Sequence, residues 1–209
     1  MIEKAALVDW RRRTQEMYAS VRAAAEGNRE RAWREWRACR DELFRYHSQS
    51  PLEERARPSF REIDYFAYDP AWRCVVAPVA ADAGARTAIL PEGELRYPPF
   101  ATVVLPRMSA SNAGSGHAEA RLTLYWIEGY GGGLFLPFGD ATNGTTTYGG
   151  GRYLYDTIKG ADLGATSEQI VLDFNYAYNP SCSYSPKWVC PLAPKENILP
   201  FPVNAGERF

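Results

Sequence analysis

The 209-residue chain lacks most of the features that announce a function. No apolar run approaches the roughly 20 residues a membrane span needs, so no membrane partner is expected. Only two histidines are present, His47 and His117. Cysteines are few as well (Cys39, Cys74, Cys182, Cys190), which excludes a disulfide scaffold in a chain of this length. No Cys-x-x-Cys pair occurs, and a zinc site built on Cys182 and Cys190 would need two further ligands. No metal or cofactor is therefore expected. A disulfide between Cys182 and Cys190 is conceivable in geometry but argued against by a reducing compartment. A nucleophilic cysteine beside Pro191 would need a histidine base, and none lies near it in sequence. A Gly-x-Ser-x-Gly nucleophile elbow is absent. Charge of one sign is lacking too: the formal net charge of −1 gives no whole-chain attraction for nucleic acid. The first residues contain too short an apolar segment for a secretory signal, so a cytoplasmic location is expected.

What is present is the composition of a globular protein, 45% hydrophobic and 13% aromatic. Residues 1–50 read as a helical arm. Leu7, Trp10, Met17, Tyr18 and Val21 recur at helical spacing, Gly27-Asn28 interrupts them, and a second helix is expected from about Arg29 to Tyr46. Trp33, Trp36, Leu43 and Phe44 form its thinner apolar stripe, with Arg40 standing inside it. Residues 1–47 hold eleven basic and eight acidic side chains, a pattern that suits a solvated face better than nucleic-acid contact. His47 falls where a cation suits a helix C-terminus, and Ser50 before Pro51 is biased out of the helix.

Residues 51–209 read as an antiparallel β domain. Strands are expected at Trp72–Val79, Arg86–Leu90, Phe100–Leu105, Ala120–Ile127, Leu134–Phe138, Tyr153–Asp156, Ile170–Phe174 and Phe201–Asn204. These runs are rich in β-branched and aromatic residues and are bounded by Pro, Gly, Asn or Asp. In the fourth, Leu122, Leu124 and Trp126 share one face. Ser109–Gly116 reads as a hairpin loop. Nothing alternates strand with helix, so the expected class is α+β, mainly β. A helical arm would pack on a β-sandwich or small barrel, the whole forming one structural unit.

The glycines at 129–133 and 149–151 do not make a phosphate loop, because no lysine follows and no helix opens there. Gly149–Gly151 is expected to form a bulge or a tight corner leading into a strand. Arg152 lies between those glycines and Tyr153-Leu154-Tyr155, a setting that implies burial. A buried guanidinium needs an anionic partner, and Asp140 and Asp173 are the candidates. Alternation would put Asp173 and Asn175 on one face. Residues 175–200 form an unusually long connection carrying Tyr176, Tyr178, Tyr184, Trp188 and five prolines, which reads as an ordered flap rather than disorder.

The chain resembles the bacterial and archaeal family known as domain of unknown function 1684. The resemblance spans nearly the whole chain. It is carried by Trp10-Arg11-Arg12-Arg13, Arg40-Asp41-Glu42-Leu43-Phe44, His47-x-Gln49-Ser50-Pro51-Leu52 and Tyr65-Phe66-x-Tyr68-Asp69-Pro70. It continues through Gly133 to Thr142, Thr147-Tyr148-Gly149-Gly150-Gly151-Arg152-Tyr153-Leu154, Leu172-Asp173-Phe174-Asn175-x-Ala177-Tyr178-Asn179-Pro180-x-Cys182 and Cys190-Pro191-Leu192-x-Pro194-x-Glu196-Asn197. Ser48 departs from the proline that often follows the histidine in family members. The resemblance implies no established activity, substrate or cofactor.

Two functional expectations follow. In the first, the β domain binds a small anionic ligand beneath the flap and is open to being an enzyme of unknown reaction. Arg152, Asp140, Asp173, Asn175, Tyr178 and Glu196 would be the polar groups of that site. In the second, the chain is a non-catalytic interaction protein whose helical arm docks on a partner or forms a homodimer.

Overall fold

The structure, a computed structural model, describes residues 2–81, 87–90, 93–106, 108 and 120–209. The expected hairpin loop at 109–116 and His117 lie outside these residues. Helix α1 (Ile2–Ala23) and helix α2 (Arg29–Tyr46) form the arm, with a 3-10 turn at Glu26–Asn28 where the Gly-Asn break falls. They pair as an antiparallel hairpin. Arg13 reaches Glu42 at 2.7 Å, and the His47 ring lies 3.3 Å from Asp9 at the same end. His47 caps α2, its backbone N–H donating to the Leu43 carbonyl. The apolar stripe of α2 (Trp33, Trp36, Leu43, Phe44) is buried, as are Met17 and Tyr18, whereas Leu7 and Val8 are exposed.

Among the described residues nine strands follow: β1 (Arg73–Val76), β2 (Val79–Ala80), β3 (Thr87–Leu90), β4 (Gly93–Arg96), β5 (Pro99–Val104), β6 (Arg121–Ile127), β7 (Gly133–Phe138), β8 (Arg152–Asp156) and β9 (Ile170–Asp173). They pair antiparallel into a five-stranded sheet ordered β2-β5-β6-β7-β8 and two ladders, β1-β9 and β3-β4. The sheet is open and does not close into a barrel. The expected strand at 72–79 splits, since Pro78 and its neighbours carry the chain from one ladder to another sheet.

Alternation along β6 holds and explains its burial. Leu122 and Leu124 enter the large core shared with α1 and α2, while Tyr125 and Ile127 point to a smaller aromatic cluster with Tyr97, Phe135 and Tyr153. Trp126 keeps the face of Leu122 and Leu124 but lies past the edge of that core. It is 44% exposed and packs edge-on against Phe100.

The strand expected at Phe201–Asn204 does not form. The segment has no ladder partner: the Phe201 carbonyl accepts from the Ala141 N–H, and Val203 bonds the side chains of Arg152 and Asp140. Further along the tail, Glu207 N–H donates to the Ala177 carbonyl at 2.8 Å, Phe66 N–H to Gly206 and Arg208 N–H to Asp64. The C-terminal tail is thus threaded between residues 64–66 and the start of the flap. Trp33 joins the arm to the β part by donating from Nε1 to the Asn175 carbonyl at 2.9 Å. No helix among the described residues is long and apolar enough to cross a membrane.

Candidate functional site

The six expected site residues do not converge. Arg152 opens β8 directly after Gly151, which has a φ of +87° and where a Cβ would lie only 2.6 Å from the Phe138 carbonyl oxygen. That corner turns the guanidinium inward. It bonds Asp140 at 2.8 Å and donates to the carbonyls of Val203, Ala205 and Glu207. Both side chains of the pair are fully buried. Asp140 also accepts from the backbone N–H and hydroxyl of Thr142 and from the Val203 N–H. Burial pulls the Arg152 pKa down, and Asp140 opposes that. This cluster is an internal lock on the C-terminal tail. It does not meet Asp173.

Asp173 ends β9 and caps the next 3-10 turn, accepting from the Asn175 N–H and from its amide Nδ2. Because that turn begins at Phe174, Asn175 is not the next same-face strand residue that alternation implied. Its side chain instead bonds the backbone of Asp69 on both sides, at 3.0 and 2.9 Å. Burial pushes the Asp173 carboxyl up to about 6, although Asn175 and two arginines pull the other way. Glu196 is exposed and accepts from the Tyr125 hydroxyl at 2.8 Å, remote from Arg152 in the bonding network.

A hollow of about 100 Å³ does exist beneath the flap. That is well above the roughly 10–15 Å³ one water requires. It opens between the helical hairpin and the first turn of the flap. Trp10, Met17, Leu43 and Phe44 give it an apolar floor, while Arg40, Lys159, Tyr178, Asn179, Ser181 and Tyr184 supply polar groups. Of the expected residues only Tyr178 lines it.

Arg40 is the group that organises this cleft. Its guanidinium is stacked within 4.9–5.8 Å of the rings of Trp36, Phe44, Tyr65 and Tyr178. Its Nη1 donates to the Tyr65 hydroxyl and to Glu207 Oε2, the latter at 3.0 Å. Among the described residues its other nitrogens have no protein acceptor. Burial pushes the Glu207 carboxyl up despite Arg40 and the Asn179 N–H that bonds it. Asn179 is buried, its Nδ2 donates to the Arg208 carbonyl, and its Oδ1 is unpartnered. The buried Tyr184 hydroxyl is unpartnered too. Lys159 sits at the mouth with its ammonium 3.4 Å from Asp156, and chiefly that carboxylate raises its pKa. Burial raises the phenols of Tyr178 and Tyr18, so both remain protonated hydrogen-bond donors.

Arg40 carried one signal in the sequence, a lone charge inside an apolar helical stripe. Glu207 carried none, since its partner is 167 residues away through a contact only the fold creates, and the local Asp156–Lys159 spacing does not mark a cleft. The cysteines offer little chemistry. Burial pushes Cys190 up to about 11, which leaves it a thiol at neutral pH. Cys182 lies 3.7 Å from the Tyr148 hydroxyl. Among the described residues no three His, Cys, Asp or Glu side chains gather to hold a metal.

These elements define an α+β protein, mainly antiparallel β, with a hollow between its helical hairpin and flap. The family described as protein of unknown function (DUF1684) matches residues 58–208, and the chain belongs to it. The chain is also similar to the uncharacterized protein from gene locus rrnAC0354 of Haloarcula marismortui, known from a solution NMR structure. The two are 30% identical with a TM-score of 0.62, over 88% of this chain and 95% of that one. Among curated proteins no match is found.

Proposed function

We propose that this protein binds a small molecule with an anionic group and an apolar body, held in the cleft between the helical hairpin and the flap. The observation that carries the reading is Arg40. A guanidinium almost wholly withdrawn from solvent has one nitrogen bonded to protein acceptors and borders a hollow with an aromatic floor. Its remaining nitrogens are not sealed in the protein but border the hollow, where a ligand carboxylate or similar anion supplies acceptors for them. Lys159 adds a second cation at the mouth, and Tyr178 and Tyr184 offer donors along the wall. The Asn179 carbonyl accepts one donor from the ligand, giving orientation. Burial holds the phenols of Tyr18 and Tyr178 protonated, so these two act as donors rather than general bases. Binding is therefore the better-supported activity.

The alternative, association through the arm, has less to rest on. The arm's aromatic residues Trp33, Trp36 and Phe44 pack into the body, and its exposed large hydrophobics, Leu7 and Val8 in α1 and Tyr46 at the end of α2, are few.

A panel of small aliphatic and aromatic carboxylates, read by ligand-observed NMR and thermal shift, tests the proposal. At least one should bind saturably, with weaker affinity in Lys159→Gln and Tyr178→Phe, both of which keep the Arg40–Glu207 pair. Absence of saturable binding across the panel, or binding indifferent to both substitutions, would overturn it.

A further inference from the structure

We propose that a second cleft, where the end of α1, the start of α2 and the β1–β9 ladder meet, is a binding site for an oxyanion of the phosphate class. The hollow is about 120 Å³, and its walls include Arg22, Arg29, Arg73, Asp173 and Tyr176. It shares none of these residues with the cleft that holds Arg40, so it stands or falls independently of that reading.

Three guanidinium side chains reach this hollow from three separate elements. Arg22 comes from the last turn of α1, Arg29 opens α2, and Arg73 opens β1, where it pairs in register with Asp173. Their side chains keep 35%, 29% and 23% of their exposure, so each is drawn part-way out of water. The protein neutralises them poorly at this point. Arg22 donates to the Asp162 backbone carbonyl at 2.6 Å with the Asp162 carboxylate 3.2 Å away, and Arg29 bonds Glu26 at 3.3 Å, but neither acid belongs to the walls of the hollow, and Glu26 is almost fully solvated. Arg73 comes only within 3.9 Å of Asp173, beyond hydrogen-bond reach.

Within the walls, then, three cations face one carboxylate. Asp173 Oδ1 is taken by two donors from Asn175, and burial holds the group well above its ordinary pKa even with Arg73 and Arg29 acting on it. Gathering like charges in a half-buried hollow is unfavourable unless an anion joins them. A tetrahedral oxyanion carries enough acceptor oxygens to take forked donors from several guanidinium groups at once, which a single-point cation site would not exploit. Tyr176, with 2% of its surface exposed, adds a phenol to the wall that has no partner among the described residues and that burial keeps protonated as a donor.

The test is calorimetric titration of the full chain with inorganic phosphate at constant ionic strength set by chloride. Saturable 1:1 binding is expected, weakened about tenfold in Arg73→Gln and in Arg29→Gln, the loss of one charged hydrogen-bond contact. Asp173→Asn should tighten it by removing the one negative charge in the walls, while Lys159→Gln should leave it unchanged. If Arg73→Gln does not fold, Arg29→Gln decides, because that side chain lies at the solvated start of α2. No saturable phosphate binding overturns the proposal, and so does binding that both arginine variants retain at full strength.

Discussion

Arg152 and Asp140 meet at 2.8 Å with no solvent exposure at either side chain. The pair joins the turn after β7 to the first residue of β8, and the remaining guanidinium donors reach the carbonyls of Val203, Ala205 and Glu207. A single buried cation thereby does for the C-terminal tail what a neighbouring strand does elsewhere. Its bonds go to backbone groups that would otherwise be buried without partners.

Arg152→Met should accordingly be a stability variant, not a binding one. Removing one member leaves the Asp140 carboxylate buried with only neutral donors, at a cost of about 3–5 kcal/mol. Urea unfolding should show that loss, with Asp140→Asn falling in the same range. The double variant should cost clearly less than the sum of the singles, because the second change removes the stranded charge created by the first. A loss below about 1 kcal/mol in Arg152→Met would contradict the lock.

How far the sequence predicted these relationships depends on how local their causes are. The two helices were legible because apolar spacing and a Gly-Asn break are local features. Most strands were legible from β-branched runs. The tail at 201–204 misled because a guanidinium 51 residues away takes the carbonyl of Val203. The ladder β3–β4 was only half seen, since Gly93–Arg96 has just one apolar residue to mark it. Arg152 was rightly suspected of burial from its glycine-and-tyrosine setting, and both Asp140 and Asp173 were plausible partners. Which one it meets depends on the corner at Gly151, a positive-φ geometry that fixes direction in three dimensions. The cleft around Arg40 was invisible because it is assembled from α1, α2, the turn after β8 and the flap. No local pattern records that convergence.

Asn197 shows how the flap is tied down. From a 3-10 turn its fully buried amide accepts from Thr123 N–H at 2.8 Å and donates to the carbonyls of Thr123 and Pro137 at 2.9 and 2.8 Å. The β6–β7 ladder stops at the Tyr125–Phe135 pair, and Pro137, which lies opposite Thr123 in that register, lacks an N–H, so the Asn197 side chain bridges the two strands there. Asn197→Ala should cost about 2–4 kcal/mol, three bonds lost and buried backbone groups stranded. Amide exchange at Thr123 should accelerate in the variant. Unchanged protection there would mean the flap is held by other contacts.

Asp173 gives the chain a signed pH dependence. Its carboxyl, 4% exposed in the side chain, is raised by burial from 3.8 to about 6, with Asn175 and Arg73 opposing. A carboxyl that is a weaker acid in the folded state binds more protons folded than unfolded between these two values. The unfolded state ionises first, so stability falls as pH rises through that window and is level above it. Two units correspond to about 3 kcal/mol at most. Denaturant midpoints measured from pH 4 to pH 7 should therefore decline through pH 4–6 by more than neighbouring carboxylates explain. Asp173→Asn keeps an acceptor for the Asn175 N–H groups but cannot ionise, so its profile should be flatter over that range and its stability at pH 7 higher than the parent's. Parallel profiles for the two proteins would show that Asp173 is ionised at no net cost, held by Arg73 and Arg29 more strongly than the 3.9 Å separation from Arg73 implies.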